Sequence, residues 1–316
     1  MRVLVTGASG FVGGRLAPAL VDAGYEVRAM TRHPERYTGA GEPVAGDVHD
    51  GESLEAALEG CGAAYYLVHS LDDARFAERD ADAARTFAKA AAAAGVDRII
   101  YLGGLGDDDD PKLSEHLASR HEVGRILAAS GVPTIEFRAA MIVGAGSLSF
   151  RLVQALTERL PVMLCPTWLQ TQTQPIAVED VLRYLIGAQD RPEGESAVYE
   201  IGGPDVMAYL DIIREYARQR GLRRLLIPVP VLTPRLSAAW LAVVTPGLAK
   251  VGRHLIAGLQ NPTVVRDEAA LAAFPFRRMP MREAIHLALA GTADPHSPDQ
   301  TPEGEPSMVT PPAKPA

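Results

Sequence analysis

A chain of 316 residues can hold two domains or one large domain with insertions, and 47% apolar residues are enough for a sizeable core. A formal net charge of −8 excludes the broad basic face that nucleic-acid binding needs. Two distant cysteines, Cys61 and Cys165, give neither a metal-ligand spacing nor a disulfide framework and point to a reducing, cytoplasmic compartment.

The chain enters a strand-like run, Val3–Val5, with no leader-like segment before it. From there short apolar runs alternate with amphipathic helical ones. Strands are predicted at Val3–Val5, Glu26–Met30, Pro43–Ala45, Ala64–Val68, Arg98–Leu102 and Thr134–Phe137. Helices are predicted from Gly13 to Ala23, Ser53 to Leu58, Arg75 to Ala94 and Leu113 to Ser130. Strict alternation implies βαβ units and a doubly wound parallel Rossmann sheet over residues 1–145. Beyond 145 the alternation breaks. Helices are predicted at 147–158, 179–188, 208–220, 234–244 and 280–290, with short strands near 176–178, 198–201 and 225–228. Residues 146–290 thus read as a smaller, mostly helical, discontinuous lobe. Residues 291–316, rich in Pro, Ser, Asp and Glu, read as a disordered tail. No apolar run reaches the ~18 residues of a membrane span; Leu236–Val244 comes nearest.

The strongest chemical signal is Thr6-Gly7-Ala8-Ser9-Gly10-Phe11-Val12-Gly13, between the first strand and the first helix. Gly7 suits a tight turn, Gly10 a close approach of backbone to a pyrophosphate, and Gly13 close packing of helix on strand. Backbone amides of Ser9, Phe11 and Val12 at the helix start would face the phosphates. The second strand ends in Thr31-Arg32, where an acidic residue would select NAD. Arg32 can pair with a 2′-phosphate, so NADP is favoured over NAD. Asp47, with Val48 beside it, either accepts from an adenine amino group or caps its own turn. Leu67-Val68-His69 closes the fourth strand beside the far ribose, with His69 structural or functional.

These residues resemble the atypical and extended short-chain dehydrogenase/reductases, most nearly the NmrA-like NAD(P)-binding branch. The resemblance runs through Gly46-Asp47, Arg98–Leu102, Ala129–Pro133, Phe137–Gly144 and Gln174–Val181 and covers about residues 1–205. It implies a catalytic Ser after the fifth strand and a Tyr-x-x-x-Lys pair on the next helix. This chain has Gly103-Gly104 at the first place and His116 and Arg120 at the second. His116 is then the candidate proton donor and Arg120 the group that holds a ribose or substrate, with Ser119 and His121 as alternatives one register away. Both also fit an ordinary solvated helix face.

Asp107–Asp110 lacks the ligand alternation of a calcium loop and reads as a solvated loop. Trp168, Tyr199 and Trp240 either line an apolar pocket or pack in a core. The expected function is an NADP(H)-dependent oxidoreductase acting on a small apolar carbonyl, quinone or similar substrate. The rival is a non-catalytic NAD(P) sensor, scaffold or assembly factor that meets a regulatory protein partner. A third reading sets residues 225–259 against a membrane or a partner. Oligomeric state stays open.

Overall fold

A computed structural model describes residues 1–70, 75–229 and 258–292. Its centre is a seven-stranded parallel sheet. Six strands come from the N-terminal half: β1 (Arg2–Thr6), β2 (Glu26–Thr31), β3 (Glu42–Ala45), β4 (Ala63–Tyr66), β5 (Arg98–Gly104) and β6 (Thr134–Ala139). They lie in the order β3-β2-β1-β4-β5-β6, as expected for a Rossmann sheet. The seventh strand, Ala197–Ile201, pairs with β6 in register Tyr199↔Phe137. It comes from well beyond residue 145, so the predicted domain boundary cuts through the sheet. The intervening chain is an excursion that leaves the sheet and returns to it.

Strand sequences explain the layering. In β5, Arg-Ile-Ile-Tyr-Leu-Gly-Gly, all but the last residue are buried, as a parallel strand covered on both faces requires. Alternate residues feed two cores. Val3, Val5, Tyr65 and Ile100 meet α1 (Gly13–Asp22) and α6 (Val178–Gly187) on one face. Leu4, Tyr66, Ile99 and Tyr101 meet α2 (Gly51–Leu58), α3 (Phe76–Ala93) and α4 (Glu115–Ala128) on the other. The alanines of α3 keep that helix close to the sheet.

A third core belongs to the second lobe. It joins α5 (Leu148–Arg159), α7 (Tyr209–Gln219) and the C-terminal helix Met281–Thr292, with Met163, Cys165 and Leu169 between them. Three small two-stranded sheets brace this lobe. Ile142–Val143 pairs with Ile176–Ala177, Gln172–Thr173 with Met207–Ala208, and Val162–Pro166 with Leu225–Val229. The predicted helix 234–244, Trp240 and nearly all of the predicted tail lie outside the described residues; Gly291 and Thr292 close the last helix. Among the described residues, no helix is long and apolar enough to cross a membrane.

Candidate active site

The ends of β1 and β4 are locked together by Thr6. Its buried hydroxyl donates to the Tyr65 carbonyl and accepts from the Leu67 amide, each at 3.0 Å. The chain then turns through Gly7 at φ +64°, a conformation that favours glycine. The Gly10 amide donates back to the Gly7 carbonyl at 2.9 Å. A Cβ on Gly13 would stand 2.2 Å from that same oxygen, and one on Gly10 would stand 3.1 Å from it. Gly13 therefore lets the first helical turn sit on the loop backbone, which corrects its predicted role against a strand.

Among the described residues, no acceptor is found for the Ser9, Phe11 or Val12 amides. Unpaired amides at a helix N-terminus, in a cradle that a side chain would fill, suit a pyrophosphate. The residues present therefore fit a dinucleotide. Leu67 and Val68 wall the turn, the Leu67 carbonyl and Val68 Cγ2 lying 3.3 and 3.4 Å from where a Gly7 Cβ would be. Arg15, on α1 and not singled out from sequence, ties the loop to the chain at Ala145. Its guanidinium donates to the Phe11 carbonyl at 2.9 Å and to the Ala145 carbonyl at 2.6 Å, and lies 4.5 Å from the centre of the Phe11 ring.

Thr31 and Asp47 lie side by side, because the Gly46 amide donates to the Thr31 carbonyl at 3.1 Å. The Thr31 hydroxyl accepts from the His33 amide, and Arg32 is exposed next to it. The Asp47 carboxylate accepts from the His49 amide at 2.9 Å, so it caps its own turn, and Val48 is buried beneath. Neither Arg32 nor Asp47 borders the main cavity; both sit along the strand ends away from it.

That cavity, about 410 Å³, starts at Gly7, Gly10 and Phe11 and passes Leu67, His69 and Gly103. Its wall carries both residues of the His-x-x-x-Arg pair, His116 and Arg120, one helical turn apart on α4. Arg120 is buried. Its guanidinium donates to the Leu102 carbonyl and sits 5.4 Å from the centre of the Tyr101 ring, which leaves part of its donor fork for a ligand. His69 borders the cavity, and the residue as a whole is exposed. Even so, the protein packed around its ring, and then the Arg120 charge, push its pKa down to about 4, so it is neutral at physiological pH.

Gly103 and Gly104 are not vacant positions for a serine. A Cβ on Gly103 would meet Glu136 Oε1 at 3.0 Å and Tyr101 at 3.2 Å, and one on Gly104 would meet Leu117 at 2.8 Å. The space has been given to other side chains. Behind it runs an ion network that the sequence reading missed. Buried Glu136 accepts from Arg138 Nε at 2.8 Å, and Arg138 donates to Asp108 at 2.7 Å. Asp108 in turn meets His121 Nδ1 at 2.6 Å, and His121 Nε2 contacts the Gly104 carbonyl at 2.9 Å. Burial raises the Glu136 pKa even with Arg138 beside it. Partial burial works against Asp108 ionising, but Arg138 and then His121 outweigh it and hold the carboxyl below its usual range.

His121 is therefore a framework residue, and the Asp107–Asp110 loop, exposed at Asp108 and Asp109 as expected, is nonetheless tied down. Asp107 pairs with Arg266 at 2.5 Å, and Asp110 accepts from Asn261 at 3.0 Å. One signal was available: Glu136 and Arg138 alternate inside a covered parallel strand, where charges must pair. Trp168 does line the cavity, whereas Tyr199 packs in the sheet core against Phe137 and Phe274.

Comparison with known proteins agrees with this geometry. Residues 7–141 match the family described as NAD(P)H-binding. Residues 7–141 are an NAD(P)H-binding domain. The chain is 29% identical over 265 residues to a ceramide reductase of Caulobacter vibrioides, covering 79% of this chain and 82% of that protein. It is 28% identical over 232 residues to the (4-alkanoyl-5-oxo-2,5-dihydrofuran-3-yl)methyl phosphate reductase of Streptomyces griseus, covering 69% and 74%. Its fold superposes with a TM-score of 0.71 on an NADPH-dependent quinone oxidoreductase of Escherichia coli solved with NADPH, at 20% identity, over 90% of this chain and 98% of that one. Two of these relatives are reductases and the superposed structure is an oxidoreductase; for this chain the match carries the NAD(P)H-binding domain and the fold.

Proposed function

We propose that the protein is an NADP(H)-dependent reductase of largely apolar carbonyl or quinone compounds, working in the cytoplasm. One observation carries this reading: a single cavity joins the glycine turn to the apolar second lobe, with His116 and Arg120 on the wall between. Arg32, exposed at the end of β2, is the group that selects a 2′-phosphate. Leu67 and Gly103 border that cavity, and Asp47, Val48 and Val68 would lie along the rest of the dinucleotide's path. Two free, buried cysteines suit a reducing compartment.

When bound, the reduced nicotinamide supplies a hydride, with its electron pair, to the carbonyl carbon. The π pair of the carbonyl moves to oxygen, and an imidazole N–H of His116 delivers the proton there, to be replaced from solvent. Arg120 keeps a fixed positive charge beside that oxygen or the neighbouring ribose. Leu67, Leu102 and Leu117 exclude water from the reacting carbon. The partner of this chain is then a small molecule, not nucleic acid.

The test is NADPH consumption with a panel of quinones, enals and ketones, alongside NADPH binding by fluorescence. His116→Ala should abolish turnover and leave binding intact. Arg32→Glu should weaken NADPH about tenfold to a hundredfold, the worth of one charge-assisted hydrogen bond, while NADH changes little. Tight NADPH binding with no turnover on any substrate would overturn the reductase reading. An unchanged NADPH-to-NADH ratio would overturn the NADP assignment.

A further inference from the structure

The cavity does not end at α4. Its lining continues into the second lobe along Leu148, Leu152, Val153 and Leu156 of α5, a spacing that puts all four on one helix face. Ile213, on α7, faces them from the other side, and Trp168 also borders the space. The span from Leu148 to Leu156 is about 12 Å along the helix axis. No charged side chain from α5 or α7 borders the cavity among the described residues. The charged and imidazole groups (His69, His116, Arg120) all belong to the dinucleotide end.

Of the hydroxyls on this side, those of Ser147, Tyr209 and Thr263 are engaged, and Ser149, on the first turn of α5, is the other that borders the space. Ser147 donates to the Ile142 carbonyl at 2.6 Å. Tyr209 meets the side chains of Thr263 and Thr173, which also bond each other at 2.8 Å. A polar occupant would find few partners here, and an ordered water needs two to four. The occupant that suits such a lining is apolar and extended along α5.

We infer that this arm holds an unbranched aliphatic chain, so that the substrate is a lipid-like carbonyl compound whose alkyl tail lies between α5 and α7 while its polar end meets His116. This rests on the reductase reading for the position of the polar end, but the arm itself can be tested without turnover.

The experiment titrates a straight series of primary alcohols, n-butanol to n-tetradecanol, into protein saturated with NADPH and follows binding by calorimetry. Alcohol and cofactor are then both reduced, so nothing reacts. Affinity should rise about three- to fourfold per added methylene until the arm is full, then level off. In Leu152→Trp the plateau should come several carbons earlier, with NADPH and n-butanol affinities unchanged. Ile213→Phe makes the same test from the facing helix should the first variant fold poorly. Chain-length-independent binding, or a plateau unmoved in a folded variant, overturns the aliphatic arm. Failure of wild-type protein to bind NADPH at all overturns instead the reading on which the polar end rests.

Discussion

Removing Arg138 exposes the logic of the network beneath the site. Glu136 is only 4% exposed, and its carboxylate lies against Gly103 and Gly124; a Cβ on Gly124 would meet Oε2 at 2.2 Å. Among the described residues, the cation bonded to it is Arg138, at 2.8 Å. Arg138→Met keeps most of the side-chain volume and strands a buried charge. Breaking such a pair costs about 3–5 kcal/mol, against about 0–1 for a surface pair. For a chain of this size that corresponds to a Tm lower by roughly 10 °C.

The pH dependence follows from the direction of the shifts. Burial holds the folded-state pKa of Glu136 above its ordinary value, and losing Arg138 drives it higher. A folded state that binds the extra proton loses stability as pH rises through that window. Asp108, held low partly by Arg138, forfeits in the variant a stabilisation that the wild type itself loses on acidification. Both effects make the gap between variant and wild type narrow as pH falls. Urea unfolding at about pH 7.5 and about pH 5 measures this. Glu136→Gln combined with Arg138→Met should recover most of the loss at neutral pH. A loss under about 1 kcal/mol, a gap that widens in acid, or no rescue by the double variant would refute the argument.

Gly13→Ala should lower NADPH affinity at least about tenfold and stability by about 1–3 kcal/mol, because its Cβ lands on the Gly7 carbonyl; Gly10→Ala should be milder. Fluorescence titration and thermal melts decide this, and equal effects would count against the cradle geometry. Asn261→Ala removes an acceptor for the Ser114 amide and donors to Asp110 and the Lys112 carbonyl, each at 3.0 Å. Ser114 caps α4, so hydrogen exchange should accelerate at the start of that helix, with a stability loss of about 1–3 kcal/mol. In NMR titration His69 should show a midpoint of about 4. Because that lies below the free imidazole value, His69 costs the fold stability as pH falls from that value toward about 4; a midpoint above 6 would show a well-solvated, unopposed ring.

The parallel sheet and the glycine turn were legible because each is written in contiguous residues. An apolar run such as Arg98–Leu102, or glycines at 7, 10 and 13 between strand and helix, carries its own context. Thr31-Arg32 and His116/Arg120 could be placed by counting along elements, and the structure puts the latter pair on one cavity wall. What stayed hidden depends on distance across the chain. Ile142–Val143 is too short to announce a strand, and its partner Ile176–Ala177 lies past a helix. The Asp108–His121–Arg138 contacts join a loop, a helix and a strand that no periodicity connects. Asp47 looked equally like an adenine ligand and a turn cap, and its bond to the His49 amide shows the cap.

The return of residues 197–201 to the sheet has a practical consequence for dissecting this molecule. A fragment ended at 145 would leave β6 with its backbone donors and acceptors bare along one side, a ready template for pairing with other chains. It would also lose α6, whose Val181, Tyr184 and Leu185 cover one face of the strands. Genetic trimming should therefore stop no earlier than the strand that comes home.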